Sequence, residues 1–197
     1  LRPALVYLIR HGQTPLNAQG LIRGRLDEPL DQTGQHQAEA LGRLFQGVTI
    51  ARVLASPLQR ARCTAAPIAA SAGMEVEIDP GLNDRDYGEW AGHPRAEVEQ
   101  RFGSVNAAPG VEPWEALTSR VVAAFEAIVA GMDRQRPVVI VGHDAVNRAL
   151  LSALIPDLAT APDTIPQRTG CWSRLERTPQ DWRIGVLDAI PGDGHEP

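Results

Sequence analysis

The stretch LVYLIRHGQT, residues 5–14, begins with consecutive apolar residues and then changes abruptly to Arg10, His11 and Gly12. The apolar run is rich in strand-forming residues and predicts a buried β-strand over residues 4–9. Proteins of the α/β class bind their ligands at the carboxyl ends of such strands, where the chain leaves the sheet. Arg10 and His11 are therefore candidate site residues at the end of a predicted strand.

Two further segments follow the same plan of strand, polar turn and helix. In residues 51–73 a strand ends at residues 53–55, Ser56 is predicted to cap the following helix, and Gly73 is predicted to end it. In residues 136–156 an apolar strand over 138–141 precedes helical periodicity over 147–154. Strands that alternate with helices predict a parallel sheet covered on both faces. The carboxyl ends of the three strands should then lie on one edge of the sheet.

The remaining segments complete one α/β domain. Residues 33–45 and 114–132 have helical patterns, and residues 171–177 and 182–189 predict an antiparallel strand pair. The expected fold is a single-domain, three-layer αβα sandwich with a mostly parallel sheet and an antiparallel edge. We assign residues 1–190 to this domain. Residues 191–197, rich in Gly, Pro and acidic side chains, are expected to form a frayed C-terminal tail.

Composition excludes several classes of protein. A chain of 197 residues with 43% hydrophobic residues suits one well-packed domain. No apolar run approaches the roughly 20 residues that a membrane helix needs. Cys63 and Cys171 are too few for a disulfide framework, which favours a reducing cytoplasm. The net charge of -5 and the lack of a basic stripe argue against nucleic acid. We expect neither a membrane nor a nucleic acid as a partner.

Basic residues are concentrated at the N-terminal end despite the acidic total. Residues 1–26 contain Arg2, Arg10, Arg23 and Arg25 and neither Asp nor Glu. Charges within a Debye length of about 10 Å act on a ligand more strongly than the net charge does. The segment can therefore attract a small anion, although Arg2, Arg23 and Arg25 taken singly also fit solvated surface positions.

The other predicted strand ends bring further groups to the same edge. Arg60 lies in the first turns of the helix after the second strand, and His143 follows the third strand. Asp84 lies in the segment LNDRDYGEWAG, residues 82–92. Guanidinium groups bind phosphate through paired hydrogen bonds, so this set suits a phosphoryl group.

Four segments together resemble the histidine phosphatase superfamily, also called the phosphoglycerate mutase-like family. They are RHGQTPLN (10–17), SPLQRARCTA (56–65), LNDRDYGEWAG (82–92) and VGHDAVNR (141–148), in the order and at spacings typical of that family. The resemblance covers residues 5–155. It implies a phosphohistidine mechanism in which His11 attacks phosphorus and a carboxylic acid protonates the leaving oxygen. It also implies no metal site and no other cofactor.

The resemblance assigns further roles one residue at a time. Arg10, Arg60 and His143 would hold the phosphoryl oxygens, and Asn17 would add a hydrogen bond. Asp84 occupies the position of the general acid, where the family usually has Glu. Asp144, directly after His143, matches a His-Asp pair whose Asp is the proton donor in the acid phosphatase branch. Asp84 is the favoured acid, because its surrounding motif fits the small members, and Asp144 is the alternative.

Hydrolysis is the predicted reaction. True phosphoglycerate mutases carry a longer insertion between the positions of Asp84 and His143, which helps to keep water from the phosphoenzyme. We therefore expect a phosphatase that acts on a small phosphorylated metabolite, with Arg23 among the substrate-binding residues. The loops at residues 23–31 and 92–112 would set the substrate. Mutase-type phosphoryl transfer and a non-catalytic phospho-ligand-binding protein are the alternatives, and a homodimer is compatible with the sequence.

Overall fold

A computed structural model describes residues 3–197, so Arg2 lies outside the described residues. Within that range six strands form one mixed sheet in the order β3-β2-β4-β1-β5-β6. The strands are β1 (Leu5–Arg10), β2 (Arg52–Ala55), β3 (Val76–Ile78), β4 (Val138–Gly142), β5 (Trp172–Arg177) and β6 (Trp182–Ala189). β1 to β4 are mutually parallel, and β5 and β6 add an antiparallel edge beside β1. The predicted sheet and its antiparallel edge are confirmed.

Six α-helices of residues 3–197 surround this sheet. They are α1 (Pro15–Ala18), α2 (Gln32–Leu44), α3 (Gln59–Ser71), α4 (Arg95–Phe102), α5 (Trp114–Val129) and α6 (Asp144–Leu154). The helices predicted at 33–45 and 114–132 correspond to α2 and α5. The last of these predictions extends beyond the observed end of α5 at Val129.

Ser56 does not cap a helix, contrary to the sequence prediction. α3 begins at Gln59, and its N-cap is Leu58, which makes no side-chain capping bond. The Ser56 hydroxyl instead accepts a 3.3 Å hydrogen bond from the Leu58 backbone N–H and contacts His143. The prediction failed because a Ser-Pro pair also fits a tight turn before a helix, and here residues 56–58 form that turn.

Side chains that alternate between the two faces of the central strands divide the core into two layers. Val6 and Leu8 of β1 pack in one cluster with side chains of α5 and α6, such as Leu117 and Leu150. The intervening Tyr7 and Ile9 pack in a second cluster with side chains of α2 and α3, including Leu41 and Ile68. Successive side chains of a strand point to opposite faces of the sheet. A sheet that is apolar on both faces must be covered by helices twice, which produces the three-layer sandwich.

Candidate active site

Three neighbouring strands end at the same edge of the sheet. β4 lies between β2 and β1, and Arg10 at the end of β1 is level with Gly142 at the end of β4. The backbone N–H groups of His11 and Ser56 donate to the carbonyls of Gly142 and Val141, each at 3.1 Å. The three connections after these strands therefore start side by side, as the sequence predicted.

The turn after β1 packs closely against the start of α2. A Cβ atom on Gly12 would lie 2.6 Å from the Gly34 carbonyl oxygen, a distance that carbon and oxygen do not tolerate. The backbone N–H of Gly12 also donates to Thr64 Oγ1 of α3 at 3.0 Å. Glycine is thus required next to His11, and the turn holds His11 firmly against two helices.

His11 is completely buried, and its contacts determine which ring nitrogen carries the proton. Its Nδ1 lies 2.7 Å from the Gly12 carbonyl oxygen, which can only accept, so Nδ1–H is the donor. Its Nε2 is buried and has no hydrogen-bond partner among residues 3–197. Burial, reinforced by the Arg60 charge, holds the pKa of His11 well below its ordinary value. At neutral pH the imidazole therefore offers a free lone pair at Nε2.

Two guanidinium groups flank this imidazole cluster. Arg60 is fully buried and donates to the carbonyls of Gly24 and Leu26, both at 2.6 Å, and to Asp84 Oδ2 at 3.0 Å. Arg10 donates through Nη1 to the carbonyl oxygen of Gln167. Burial lowers the pKa of both arginines, yet an arginine remains charged at any physiological pH. Both groups are therefore fixed cations at the strand ends.

His143 lies against His11, with ring centroids 5.2 Å apart. It is fully buried; its Nε2 is 2.7 Å from Ser56 Oγ and its Nδ1 is 3.6 Å from Asp84 Oδ2. Burial is the main cause that keeps the pKa of His143 well below its ordinary value, and the charge of Arg60 adds to it. Both imidazoles of the site are therefore neutral at neutral pH.

The two candidate acids occupy different surroundings. Asp84 is buried, with 3% of its surface exposed, between Arg60 and His143. A quarter of the Asp144 side chain is exposed, and its oxygens face Arg148 Nε at 2.5 Å and Arg10 Nη1 at 3.7 Å. Asp84 thus belongs to the cluster around the imidazoles, and Asp144 lies at the outer side of Arg10.

The structure also locates the two remaining predicted site residues. Asn17 Oδ1 accepts hydrogen bonds from the backbone N–H of Thr14 at 3.0 Å and from its hydroxyl at 2.9 Å, which caps α1. That geometry occupies the carbonyl end of the Asn17 amide and leaves its NH₂ group as the end that can donate. Arg23 donates through Nη1 to the Leu21 carbonyl at 3.3 Å. Its positive charge contributes to the lowered pKa of His11.

Beside this cluster lies a cleft of about 300 Å³, which reaches Asp144 and Tyr87. Its charged lining residues are three arginines and three acids: Arg85, Arg95, Arg148, Glu99, Asp144 and Asp163. Several lining residues, such as Ser104 and Asn106, come from the predicted substrate loop at 92–112. Residues of the other predicted loop, 23–31, instead supply the two carbonyls that bind Arg60.

Residues 6–189 match the sequence profile of the histidine phosphatase superfamily, branch 1. The chain belongs to this superfamily. The resemblance that the four motifs suggested is thereby confirmed over nearly the whole chain.

Several named relatives of this histidine phosphatase are phosphatases, and others, such as GpmB of Salmonella choleraesuis (strain SC-B67) at 29% identity, are named probable phosphoglycerate mutases. An uncharacterized phosphatase, PhoE, of Bacillus subtilis (strain 168) is 31% identical over 183 residues, which make up 91% of each chain. The adenosylcobalamin/alpha-ribazole phosphatase of Escherichia coli (strain K12) is 30% identical over 194 residues, 93% of this chain and 95% of that one. A solved mycobacterial glucosyl-3-phosphoglycerate phosphatase has a TM-score of 0.85 at 26% identity, with 95% of this chain and 100% of that chain covered. The protein is a phosphoric monoester hydrolase.

Sequence reasoning missed two buried side chains of the histidine phosphatase site. Ser56 contacts His143, and Gln167 accepts from Arg10 through its backbone and from Asn147 Nδ2 through its side chain at 2.9 Å. The SPLQRARCTA motif contained Ser56, but the residue was assigned a capping role. Gln167 belongs to none of the four motifs.

Residues 3–197 contain no group of three or more His, Cys, Asp and Glu side chains placed to hold a metal ion. None of their helices is long and apolar enough to cross a membrane.

Proposed function

We propose that this histidine phosphatase hydrolyses a small phosphate monoester through a phosphohistidine on His11. One observation carries the proposal: five buried nitrogens around the strand ends have no hydrogen-bond partner among residues 3–197. They are His11 Nε2, His143 Nδ1 and the Nε atoms of Arg10, Arg23 and Arg60. Each unpaired buried polar atom costs about 1–3 kcal/mol. A phosphoryl group would pair the donors among them and would bring its phosphorus atom to the lone pair of His11.

The proposed reaction has two steps. In the first, His11 Nε2 attacks phosphorus, the bond from phosphorus to the ester oxygen breaks, and a carboxylic acid gives its proton to that oxygen. In the second, water attacks the phosphohistidine and gives a proton to the carboxylate left by the first step, the P–N bond breaks, and phosphate leaves while His11 regains its lone pair. Arg10, Arg60 and His143 would stabilise the charge on the phosphoryl oxygens throughout, which is where most of the rate acceleration in phosphoryl transfer originates. The scheme uses no metal ion.

The position of Asp84 supports its role as the acid of the first step. Its carboxyl lies 3.0 Å from Arg60 Nη2 and 3.6 Å from His143 Nδ1, among the groups that would hold the phosphoryl oxygens. Asp144 remains the alternative donor, because it contacts Arg10 from the side of the cleft. A proton donor must reach the leaving oxygen within hydrogen-bond distance, which the variants of the two carboxyl groups test.

The cleft supports a polar leaving group without a net charge. Its three guanidiniums and three carboxylates balance, and Asp144 and Arg148 already pair with each other at 2.5 Å. A lining that holds both donors and acceptors hydrogen-bonds well to hydroxyl groups, while a second anion would meet carboxylates as well as guanidiniums. We therefore propose a phosphate ester of a hydroxylated small molecule as substrate, and hydrolysis as the reaction because the two relatives at 30% identity or more described above are named phosphatases.

The test is phosphate release from p-nitrophenyl phosphate and from a panel of phosphorylated metabolites, all in EDTA. We expect turnover in EDTA, loss of turnover in His11→Ala, and a ³²P label on the wild-type protein that is labile to acid. His36→Ala, a change at an exposed histidine of α2, is the matched control and should keep full activity. Activity that disappears in EDTA and returns with a divalent cation would refute the proposed mechanism.

A further inference from the structure

Ser56 has a buried hydroxyl whose contacts reach the site through His143. The residue has no exposed surface, and its Oγ lies 2.7 Å from His143 Nε2. The same oxygen accepts a 3.3 Å hydrogen bond from the Leu58 backbone N–H. A serine hydroxyl carries one hydrogen to donate and two lone pairs to accept. The position of its hydrogen therefore decides which nitrogen of His143 is protonated.

The hydroxyl hydrogen needs an acceptor, because a buried unpaired donor is costly. In the part of the chain that the structure describes, the acceptor within hydrogen-bond distance of Ser56 Oγ is His143 Nε2. The opposite arrangement, with Nε2–H donating to the hydroxyl, would leave the hydroxyl hydrogen without a partner. From this geometry we infer that Ser56 donates to His143 Nε2 and thereby fixes the imidazole proton on Nδ1.

The other side of the ring favours the same tautomer. His143 Nδ1 faces Asp84 Oδ2 at 3.6 Å, and a carboxylate oxygen attracts an N–H group and repels a nitrogen lone pair. Burial keeps the pKa of His143 well below its ordinary value, so the ring carries a single proton at neutral pH. Two contacts at opposite ends of the ring thus agree on Nδ1–H.

The two imidazoles of the site are then the same Nδ1–H tautomer, but different nitrogens are left without a partner, so their tasks are opposite. His11 donates a hydrogen bond from Nδ1–H to the Gly12 carbonyl oxygen and keeps a lone pair at Nε2. His143 accepts at Nε2 and keeps a donor at Nδ1, which has no hydrogen-bond partner among residues 3–197. This contrast rests on the proposed function where it assigns the His143 donor to a phosphoryl oxygen. Ser56 is accordingly a positioning residue, which acts through His143.

The test observes the tautomer directly. Long-range ¹H–¹⁵N NMR at neutral pH on ¹⁵N-histidine-labelled protein distinguishes Nδ1–H from Nε2–H rings, and His143→Gln identifies the His143 signals. We expect Nδ1–H at His143 and Nδ1–H at His11 in the wild type. A wild-type His143 with Nε2–H would overturn the inference whatever the activity, and this measurement needs no folded variant at position 56.

Substitution then connects the tautomer to the rate. In Ser56→Ala we expect Nε2–H signals of His143 to appear beside the Nδ1–H signals that Asp84 still favours, and kcat to fall by about 10-fold or more, the value of one charged hydrogen bond. Ser71→Ala, at the exposed end of α3, should change neither, and Ser56→Thr, which keeps the hydroxyl, should restore Nδ1–H. If Ser56→Ala showed only Nδ1–H and kept full kcat, Ser56 would have no positioning role. An inactive wild type with Nδ1–H at His143 would refute the proposed function and leave this inference standing.

Discussion

Asp84→Asn and Asp144→Asn separate the two candidate acids by their dependence on the leaving group. A sugar alkoxide leaves poorly without a proton, whereas p-nitrophenolate leaves without one. Loss of the true acid should therefore slow hydrolysis of a sugar phosphate by about 10²- to 10⁴-fold more than that of p-nitrophenyl phosphate. We predict this contrast for Asp84→Asn, because Asp84 is buried beside Arg60 and His143.

The contacts of the two carboxyl groups set the part of each loss that is common to both substrates. Asp84→Asn also removes the buried partner of Arg60 at 3.0 Å, and breaking such a pair costs about 3–5 kcal/mol. That cost is to the stability of the fold, and any displacement of Arg60 acts on both esters alike and therefore cancels in the ratio of the two rates. Asp144 is a quarter exposed and pairs with Arg148 at 2.5 Å, an interaction that contributes up to about 1 kcal/mol to stability, so we expect Asp144→Asn to cause a milder loss that is equal for both substrates.

The assay compares kcat/KM of wild type and both variants on the two esters, with folding checked by circular dichroism. The decisive quantity is the change in the ratio of the two kcat/KM values. A ratio that stays within about 3-fold of wild type in Asp84→Asn, far below the range expected for general acid catalysis, would refute the assignment of Asp84. A collapse of the sugar phosphate alone in Asp144→Asn would transfer the role to Asp144.

Two further predictions concern the buried cations and the neutral histidines. Arg60→Lys should lower kcat/KM about 100-fold, because an ammonium cannot replace the planar donors that bind Gly24, Leu26 and Asp84. The control is Arg62→Lys at an exposed position of the same helix. Equal activity of the two variants would contradict the assignment of Arg60 to the phosphate site. Unfolding free energy should fall below pH ~6.5, because unfolded histidines then bind protons that folded His11 and His143, with lowered pKa values, do not. Urea titrations should show that His11→Ala removes about 1.36 kcal/mol per pH unit of this slope; a variant with the wild-type slope would disprove the neutral state of His11.

The fold could be predicted because short continuous segments of the sequence indicate its central strands and the helices that follow them. Each central strand is a short apolar run with its own turn and helix, and alternation of side chains across the sheet explains why both faces are covered. The ends of the helices were harder to predict. The helix α6 begins at Asp144, three residues before the predicted helical periodicity at 147–154, because the turn from His143 into the helix contributes no apolar repeat. Ser56 was misassigned because Ser before Pro suits both a cap and a turn.

Three candidate site residues could be placed together from the order of the predicted strands. Arg10, His11 and His143 follow predicted strands, so the topology alone brings them together. The contact between Ser56 and His143 joins residues 87 positions apart, and its function depends on the direction of one hydroxyl hydrogen. Gln167 approaches Arg10 from a segment without a motif, 157 positions away. No pattern in a single sequence records such pairings.

The residues with proposed catalytic roles lie on two parts of the fold: the edge of the sheet and a connecting loop. The proposed nucleophile His11 and the proposed phosphate ligands Arg10 and His143 lie at the strand ends, where backbone hydrogen bonds between strands hold them. The third proposed ligand, Arg60, lies in the first turn of α3.

Asp84 instead lies on the connection after β3, and Arg120 of α5 holds that connection through the carbonyls of Asn83 at 2.7 Å and Asp84 at 3.0 Å. Because side chains of α5 pack in one of the two core layers, the core fixes the position of the connection after β3. The acid can therefore be placed as accurately as the nucleophile, although its segment is not part of the sheet.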